Sequence, residues 1–305
     1  MSTRPSTLLI AGSSGLVGSA LVSAWRRQGG EVRRLVRRKP VKADEFAWDP
    51  AAQQIDDAAW DGVTAVVNLA GANLAAGRWT KRRRELIRAS RVDATRCLVE
   101  AMGRHGARPA VFINASATGW YGDTAGGVAD ESTPRGQGFL AEVCAAWEAE
   151  AGRAESLGVR TVCLRLGVVL STQGGALAKM LPIFKLGLGG RLGSGAQRMS
   201  WIAMADLMAV FERVLGDDGL SGAVNAVAPE PVTNAAFAQA LGAALNRPAF
   251  LPAPAWALRL ALGQMADEAL LADSCVVPAK LQAAGFAFRC PDIRTALQVT
   301  LREGT

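Results

Sequence analysis

Three glycines set the first constraint on this chain. The segment Gly12-Ser13-Ser14-Gly15-Leu16-Val17-Gly18 follows the apolar run Thr7–Ala11 and opens the helical pattern Gly15–Gln28. Its spacing is G-x-x-G-x-x-G. Glycine at these positions permits a tight turn and removes the Cβ that would block a pyrophosphate, and the third lets the helix pack closely on the sheet. The free N–H groups of the helix start then face the phosphates. A strand before the loop and a helix after it make the signal specific. All seven residues from Gly12 to Gly18 are therefore candidate cofactor ligands.

Strand and helix patterns alternate beyond it. Glu31–Val36, Thr64–Leu69, Ala110–Ala115 and Val159–Leu166 read as further strands, and Thr80–Gly103 and Gly138–Leu157 as helices. Strands separated by long helices predict a parallel sheet with right-handed crossovers, an α/β Rossmann-like fold with helices on both faces. After residue 170 the texture changes. Five glycines between Gly187 and Gly195 read as a flexible loop, Ala203–Leu215 and Thr233–Leu245 as helices, and Ala223–Ala226 as a short strand. Pro248, Pro252 and Pro254 mark a linker, followed by the short helices Ala255–Leu262, Glu268–Leu271 and Pro278–Ala284. The expected division is a dinucleotide-binding domain over 1–247, with substrate-side insertions after 170, and a small, mainly helical C-terminal extension over 248–305.

The end of the second strand bears on cofactor choice. NAD sites usually put a carboxylate there to hold the ribose hydroxyls. This chain has Arg37-Arg38-Lys39 instead. Guanidinium groups there suit a 2′-phosphate, so NADP (NADPH) is expected over NAD. Asn68-Leu69-Ala70-Gly71 ends the third of these strands, and its small residues let the backbone approach the adenosine.

Composition excludes several classes. The single histidine, His105, sits at a helix end before Gly106, which leaves little for a Ser-His-Asp triad or a histidine metal site. The five cysteines form no CxxC pair and no metal-ligand spacing, which fits reduced core thiols in a cytoplasmic protein. Residues Leu8–Trp25 are apolar enough to suggest a secretory leader, but the phosphate-loop glycines argue against it. No long uncharged apolar stretch predicts a membrane span. The net charge is +7, and the densest basic cluster is Lys81-Arg82-Arg83-Arg84 with Arg88 and Arg91. On a helix with Leu86, Ile87, Val92 and Leu98 inward, it reads as a solvated face. A nucleic-acid surface over 81–91 is the less favoured reading, because no recognised motif accompanies it.

Together these residues resemble the extended short-chain dehydrogenases, the group that includes nucleotide-sugar epimerases. The chain is most similar to a bacterial "epimerase family" branch of uncertain activity, sometimes labelled a cell-division inhibitor. The resemblance runs through Trp48-Asp49-Pro50, Asn68–Asn73, Arg78-Trp79-Thr80, Ser116–Gly119 with Tyr121-Gly122, and Phe139–Cys144 with Trp147-Glu148. It continues through Leu186–Gly190, Gly193–Gly195, Val227–Asn234, Val277-Pro278, Lys280-Leu281 and Ala284–Phe286. It implies that Arg37 and Arg38 meet the 2′-phosphate, that Leu69 and Ala70 wall the adenosine, and that Glu85 and Arg91 face the cofactor. The wider superfamily works with a Ser–Tyr–Lys relay. Ser116 matches the serine, but the Tyr-x-x-x-Lys positions fall on Phe139 and Val143. Phe139 cannot move a proton, and Val143 carries no charge.

Tyr121, the only tyrosine and five residues after Ser116, is the candidate substitute acid, with packing the competing reading and Thr118 and Glu142 weaker candidates. Thr118, Gln197 and Trp201 are the candidate substrate contacts. Trp201 could equally be core, Asp206 a cap or ion-pair partner, and Met180, Met199 and Met204 read as packing residues. The expected function is an NADP-dependent oxidoreductase or epimerase on a small molecule. The alternative is a non-catalytic NADP-binding regulator connected with cell division. A C2 homodimer through two long helices is the expected assembly for this fold.

Overall fold

A computed structural model describes residues 7–105 and 108–303. The five residues of β1 (Thr7–Ala11) are all buried, which a strand achieves only in the middle of a sheet covered on both faces. Around it lie α1 (Leu16–Arg27), β2 (Glu31–Val36), β3 (Glu45–Asp49), β4 (Gln54–Ile55), β5 (Ala65–Asn68), α2 (Lys81–His105), β6 (Val111–Ala117), α3 (Phe139–Gly152) and β7 (Arg160–Leu166). Then follow β8 (Val168–Leu170), α4 (Gly175–Lys185), β9 (Arg198–Met199), β10 (Trp201–Ala203), α5 (Met204–Gly216), β11 (Gly222–Ala226), β12 (Val232–Thr233) and α6 (Asn234–Ala244). The C-terminal stretch holds α7 (Ala255–Leu262), α8 (Gln264–Ala266), α9 (Ala279–Ala283) and α10 (Ile293–Glu303).

The main sheet runs β11-β7-β6-β5-β1-β2-β3-β4, parallel except for the β3–β4 pair. Chain order reverses between β1 and β5, and a doubly wound sheet opens its crevice at that point, beyond the strands' C-terminal ends. Leu8 and Ile10 face α1 and α5, packing on Val22, Trp25, Leu207 and Phe211, while Leu9 faces α2 through Leu98 and Met102. A third cluster joins Leu177 and Phe184 of α4, Trp201 of β10, Phe237 of α6 and Leu297 of α10. No described helix is long and apolar enough to cross a membrane.

Several elements differ from the sequence reading. β3 lies between β2 and the strand expected next; its charged ends and brevity hid it. The Gly187–Gly195 stretch, read as flexible, is pinned: Leu251 N donates to Gly189 O (3.1 Å), Ala253 N to Arg191 O (2.9 Å) and Gly193 N to Ala253 O (2.8 Å). Trp201 is fully buried with its indole N–H on Glu230 O, so it belongs to the core and not to a ligand surface. Asp206 is also buried, and it accepts from the backbone N–H groups of Arg289 and Cys290. α2 continues to His105; Gly106, read as its stop, lies outside the described residues. His105 stacks on Trp60 and pairs with Asp57.

Candidate functional site

A cleft of about 530 Å³ opens where the strand order reverses. Its floor is the glycine loop. Gly12 has φ +79, and a Cβ there would stand 2.5 Å from Leu69 O. Gly18 is closed by packing, since its Cβ would lie 2.2 Å from Gly12 O. Gly15 is different: it is exposed, and its Cβ would meet nothing nearer than Gly12 O at 3.4 Å. Packing demands the first and third glycines; the second keeps the cleft side open. Gly15 is also the cap residue of α1, and no side chain caps that helix. The N–H groups of its first turn thus meet the cleft, a setting that favours a phosphate.

The adjoining turn is held from behind. Asn68 Nδ2 donates to Asn114 Oδ1 and Thr95 Oγ1, both at 2.8 Å, and Asn68 Oδ1 accepts from Ala70 N (3.1 Å). Trp147 Nε1 donates to Thr95 Oγ1 (2.9 Å). These buried bonds fix Leu69, Ala70 and Gly71, which line the cleft. Arg91 reaches the same wall from α2. Its Nη1 donates to Ala72 O (3.2 Å) and Ile87 O (3.0 Å), and its guanidinium lies 5.2 Å from the Trp147 ring centroid. Among the described residues no carboxylate pairs with it. Burial draws its guanidinium pKa down to about 10. A cation withdrawn from water without a counter-ion is costly, and an arriving anion relieves that cost.

Ser116, next to the last residue of β6, lines the cleft. Its Oγ donates to Glu148 Oε1 (2.6 Å). Glu148 accepts from Arg165 Nε (2.9 Å) and Nη2 (2.8 Å), Arg165 Nη1 donates to Tyr121 Oη (2.9 Å), and Tyr121 donates to Asn225 Oδ1 (2.8 Å). Arg165 also lies 3.9 Å from the Trp120 ring centroid. Burial opposes its charge, but the hydrogen bonds and charge of Glu148 outweigh that and raise its pKa. Cys144, beside Ser116, is pushed up to about 11, chiefly by burial, so it stays a thiol at neutral pH.

Of the residues singled out from sequence, Gly12, Gly15, Leu16, Val17, Gly18, Leu69, Ala70, Gly71, Arg91, Ser116, Thr118 and Gln197 line this one cleft. Ser13 is buried beneath the loop and Ser14 is exposed beside it; neither lines the cleft. Arg37 and Arg38 stand at the C-terminal end of β2, both exposed, and Arg38 is engaged by both carboxylate oxygens of Glu45 at 2.7 and 2.8 Å. Glu85 is exposed on α2 and does not reach the cleft, because Ile87 and Arg91 occupy the inward face. Tyr121 is 4% exposed, with its hydroxyl held between Arg165 and Asn225. It lies outside the lining, and burial raises its pKa, so the substitute acid expected there is not at the cleft surface.

Sequence reasoning missed three groups that matter here. Glu148 was legible only as part of a motif, and Arg165 reads as an ordinary strand residue. Glu268 lines the cleft from the C-terminal segment and caps α3, accepting from Phe139 N (3.2 Å) and Leu140 N (2.9 Å). A carboxylate more than a hundred residues from the helix it caps leaves no local signal.

The doubly wound sheet and the glycine-floored cleft at its switch point define a nicotinamide-dinucleotide-binding protein of the α/β class. Residues 8–226 match the NAD dependent epimerase/dehydratase family, to which the chain belongs. Residues 253–299 match a domain of unknown function, DUF1731. An epimerase family protein of Mycobacterium bovis is 45% identical over 296 residues, covering 97% of this chain and 98% of that one. The crystal structure of human epimerase family protein SDR39U1 (isoform 2) with NADPH superposes with a TM-score of 0.88 at 32% identity, over 97% of this chain and 99% of that one. A nucleoside-diphosphate sugar epimerase of Corynebacterium glutamicum gives 0.79 at 36% identity, over 99% of this chain and 59% of that one.

Proposed function

We propose that this protein is an NADP-dependent oxidoreductase, of the simple or epimerising kind, acting on a small molecule in the cleft. The observation that carries this reading is the uncapped start of α1, opening beside Gly15 onto the same cleft as Ser116. The N–H groups of that turn bind the pyrophosphate, and Arg91 adds a cation at the wall. Arg37 is exposed and has no ion-pair partner among the described residues, which leaves it available to a 2′-phosphate; Arg38 is already held by Glu45. The NADPH named with the human relative supports the same preference.

When bound, the nicotinamide supplies or takes the hydride. The chain must move the accompanying proton. Ser116 Oγ donates to Glu148, so its lone pairs are turned to accept from a substrate hydroxyl. As the alcohol is oxidised, its proton passes to Ser116 Oγ while Ser116's own proton passes to Glu148 Oε1. Arg165 holds Glu148 in place throughout. This route needs neither a tyrosine at Phe139 nor a lysine at Val143.

Titration with NADPH and NADH, for the wild type and Arg37→Ala, tests the cofactor assignment. NADPH should bind at least about tenfold more tightly than NADH, roughly 1.4 kcal/mol, and the preference should collapse in the variant. Absence of saturation by either nucleotide would overturn the reading. Tight NADPH binding with no oxidation of it by any carbonyl compound would favour the regulatory alternative.

A further inference from the structure

The proposed cofactor site takes the sheet side of the cleft. The opposite wall is left for the molecule acted on, and the chemical class of that molecule is inferred with the cofactor reading as its premise. The apolar side chains of that wall include Leu140, Met180, Leu192, Met199, Phe237 and Leu270, beside the polar Thr118, Gln197, Asn234 and Ser274. Three charged side chains line the whole cleft: Arg91, Arg198 and Glu268. Arg91 belongs to the cofactor side, beside Gly71. Arg198 is already neutralised. Its Nε donates to Asp273 Oδ1 (3.0 Å), its Nη2 to Asp273 Oδ2 and to Gly127 O (2.9 Å), and its backbone N–H to Asp273 Oδ1 (2.7 Å).

Glu268 is the remaining charge, and no cation pairs with it among the described residues. Its oxygens take the first N–H groups of α3 and the amide of Gln264 (2.7 Å). The start of α3, which would otherwise offer free N–H groups to a phosphate, is therefore filled by a carboxylate. A sugar nucleotide brings a diphosphate, which needs unpaired guanidinium or N–H groups to replace its water. This wall offers an anion instead.

The polar capacity that is left is small and uncharged. Gln197 spends its amide N–H groups on Leu192 O (3.0 Å) and Leu270 O (3.1 Å), which leaves its carbonyl oxygen; Asn234 accepts from Leu192 N (2.7 Å), which leaves its amide nitrogen. Leu192 bridges to Ala253, and the chain flanking that bridge exposes Leu186, Phe250, Trp256 and Leu260 at 67–75%.

We infer that the substrate is an uncharged, mainly apolar carbonyl or hydroxyl compound, and not a sugar nucleotide or another anion. The test is calorimetry on the NADPH-saturated protein with two probe sets: 2-alkanones of increasing length, and uridine diphosphate with UDP-glucose. Alkanone affinity should rise about fourfold per added methylene until the wall is covered, and it should not depend on salt. The nucleotides should show no saturation at millimolar concentration. Ala269→Trp, at an exposed position on the rim, should abolish alkanone binding and leave NADPH binding intact.

Saturable, salt-sensitive binding of UDP-glucose would overturn the inference, as would alkanone binding that ignores chain length, is absent, or survives Ala269→Trp. In each of those cases NADPH still binds, so the cofactor reading stands. Failure of the initial NADPH saturation would remove that reading, and this inference with it.

Discussion

Gly15→Ala and Gly18→Ala should separate the two uses of the glycine loop. A Cβ at Gly18 would lie 2.2 Å from Gly12 O and 2.8 Å from Ser13 Cα. Both are backbone atoms, so the loop itself has to move. Overpacking of this kind costs about 1–3 kcal/mol, and the upper end applies where no flexible side chain can yield. At roughly 2–4 °C per kcal/mol, Gly18→Ala should lower the Tm by about 6–12 °C. Gly15 has φ −75, which alanine adopts freely, and 3.4 Å of clearance. Its small loss as a cap residue is set against a stiffer unfolded chain, so the change in stability should stay within about 1 kcal/mol. Its methyl group would nevertheless stand where a pyrophosphate must approach. A tenfold loss of NADPH affinity is about 1.4 kcal/mol. With NADPH at about a hundred times the wild-type Kd, ligand stabilisation should be about 2.7 kcal/mol for the wild type and about 1.4 for Gly15→Ala. Thermal unfolding with and without NADPH reads both quantities. If Gly15→Ala weakens the ligand-free protein as much as Gly18→Ala does, or if NADPH stabilises it as fully as the wild type, the division of labour is wrong.

Four further substitutions probe the cleft and an ion pair on β2. Arg91→Met should leave the ligand-free Tm unchanged or higher, because it removes a poorly solvated cation, while NADPH affinity drops at least about tenfold; a Tm loss worth more than about 1 kcal/mol would make Arg91 a structural residue. Ser116→Ala should slow turnover by about 10²-fold or more with the NADPH Kd unchanged, whereas Glu148→Gln should also cost about 3–5 kcal/mol by stranding buried Arg165; turnover in Ser116→Ala at the wild-type rate rules out the relay. Arg34, by hydrogen bond and then by charge, and Arg26 hold the Asp44 carboxyl at about 2 against an ordinary 3.8. A carboxyl depressed in the folded state contributes stability above about pH 4 and loses it as pH falls toward 2. Urea midpoints across that window should decline in the wild type and flatten in Arg34→Met; parallel curves would show that the pair has no part in the acid limb.

How much of the fold and the cleft is legible in the sequence depends on whether the determining contacts are local. The glycine loop, β1, β2 and the start of α1 are set by neighbours within a turn or a strand, and the pattern reads them directly. α10 has a usable local signal that the periodicity alone passes over: Asp292 Oδ1 accepts from the N–H groups of Arg294 and Thr295, an ordinary helix start. α4 is masked by Pro182 inside it and by Gly174-Gly175 at its beginning. The basic pair after β2 reads as two guanidiniums free for a phosphate. Only the pairing of β2 with β3 brings Glu45 against one of them. Tyr121 lies close to Ser116 in sequence, but the short 3-10 turn Thr118–Tyr121 carries its ring into the core. The partner Ser116 does have, Glu148, is 32 residues away on α3.

The two positions that resemblance pairs with tyrosine and lysine show why polarity enters the cleft from other elements. Val143 packs with Trp79, Ile87 and Met265, and Phe139 meets Trp79 edge-on with 5.3 Å between ring centroids. Met265 comes from α8, so the C-terminal segment closes over the face of α3 where a relay would stand. A lysine amine there would be desolvated among apolar side chains and would give up its charge, and with it the reason for having a lysine. The same segment presents Glu268 to the start of α3 and Leu270 to the substrate wall. The charged side chains that line the cleft therefore come from other elements, Arg91 from α2, Arg198 from β9 and Glu268 from the C-terminal segment, while Ser116 of β6 is backed by Glu148 and Arg165. On the proposed reading, the apolar face of α3 and a proton path through Ser116 and Glu148 go together, since such a path leaves no task for an acid at position 139.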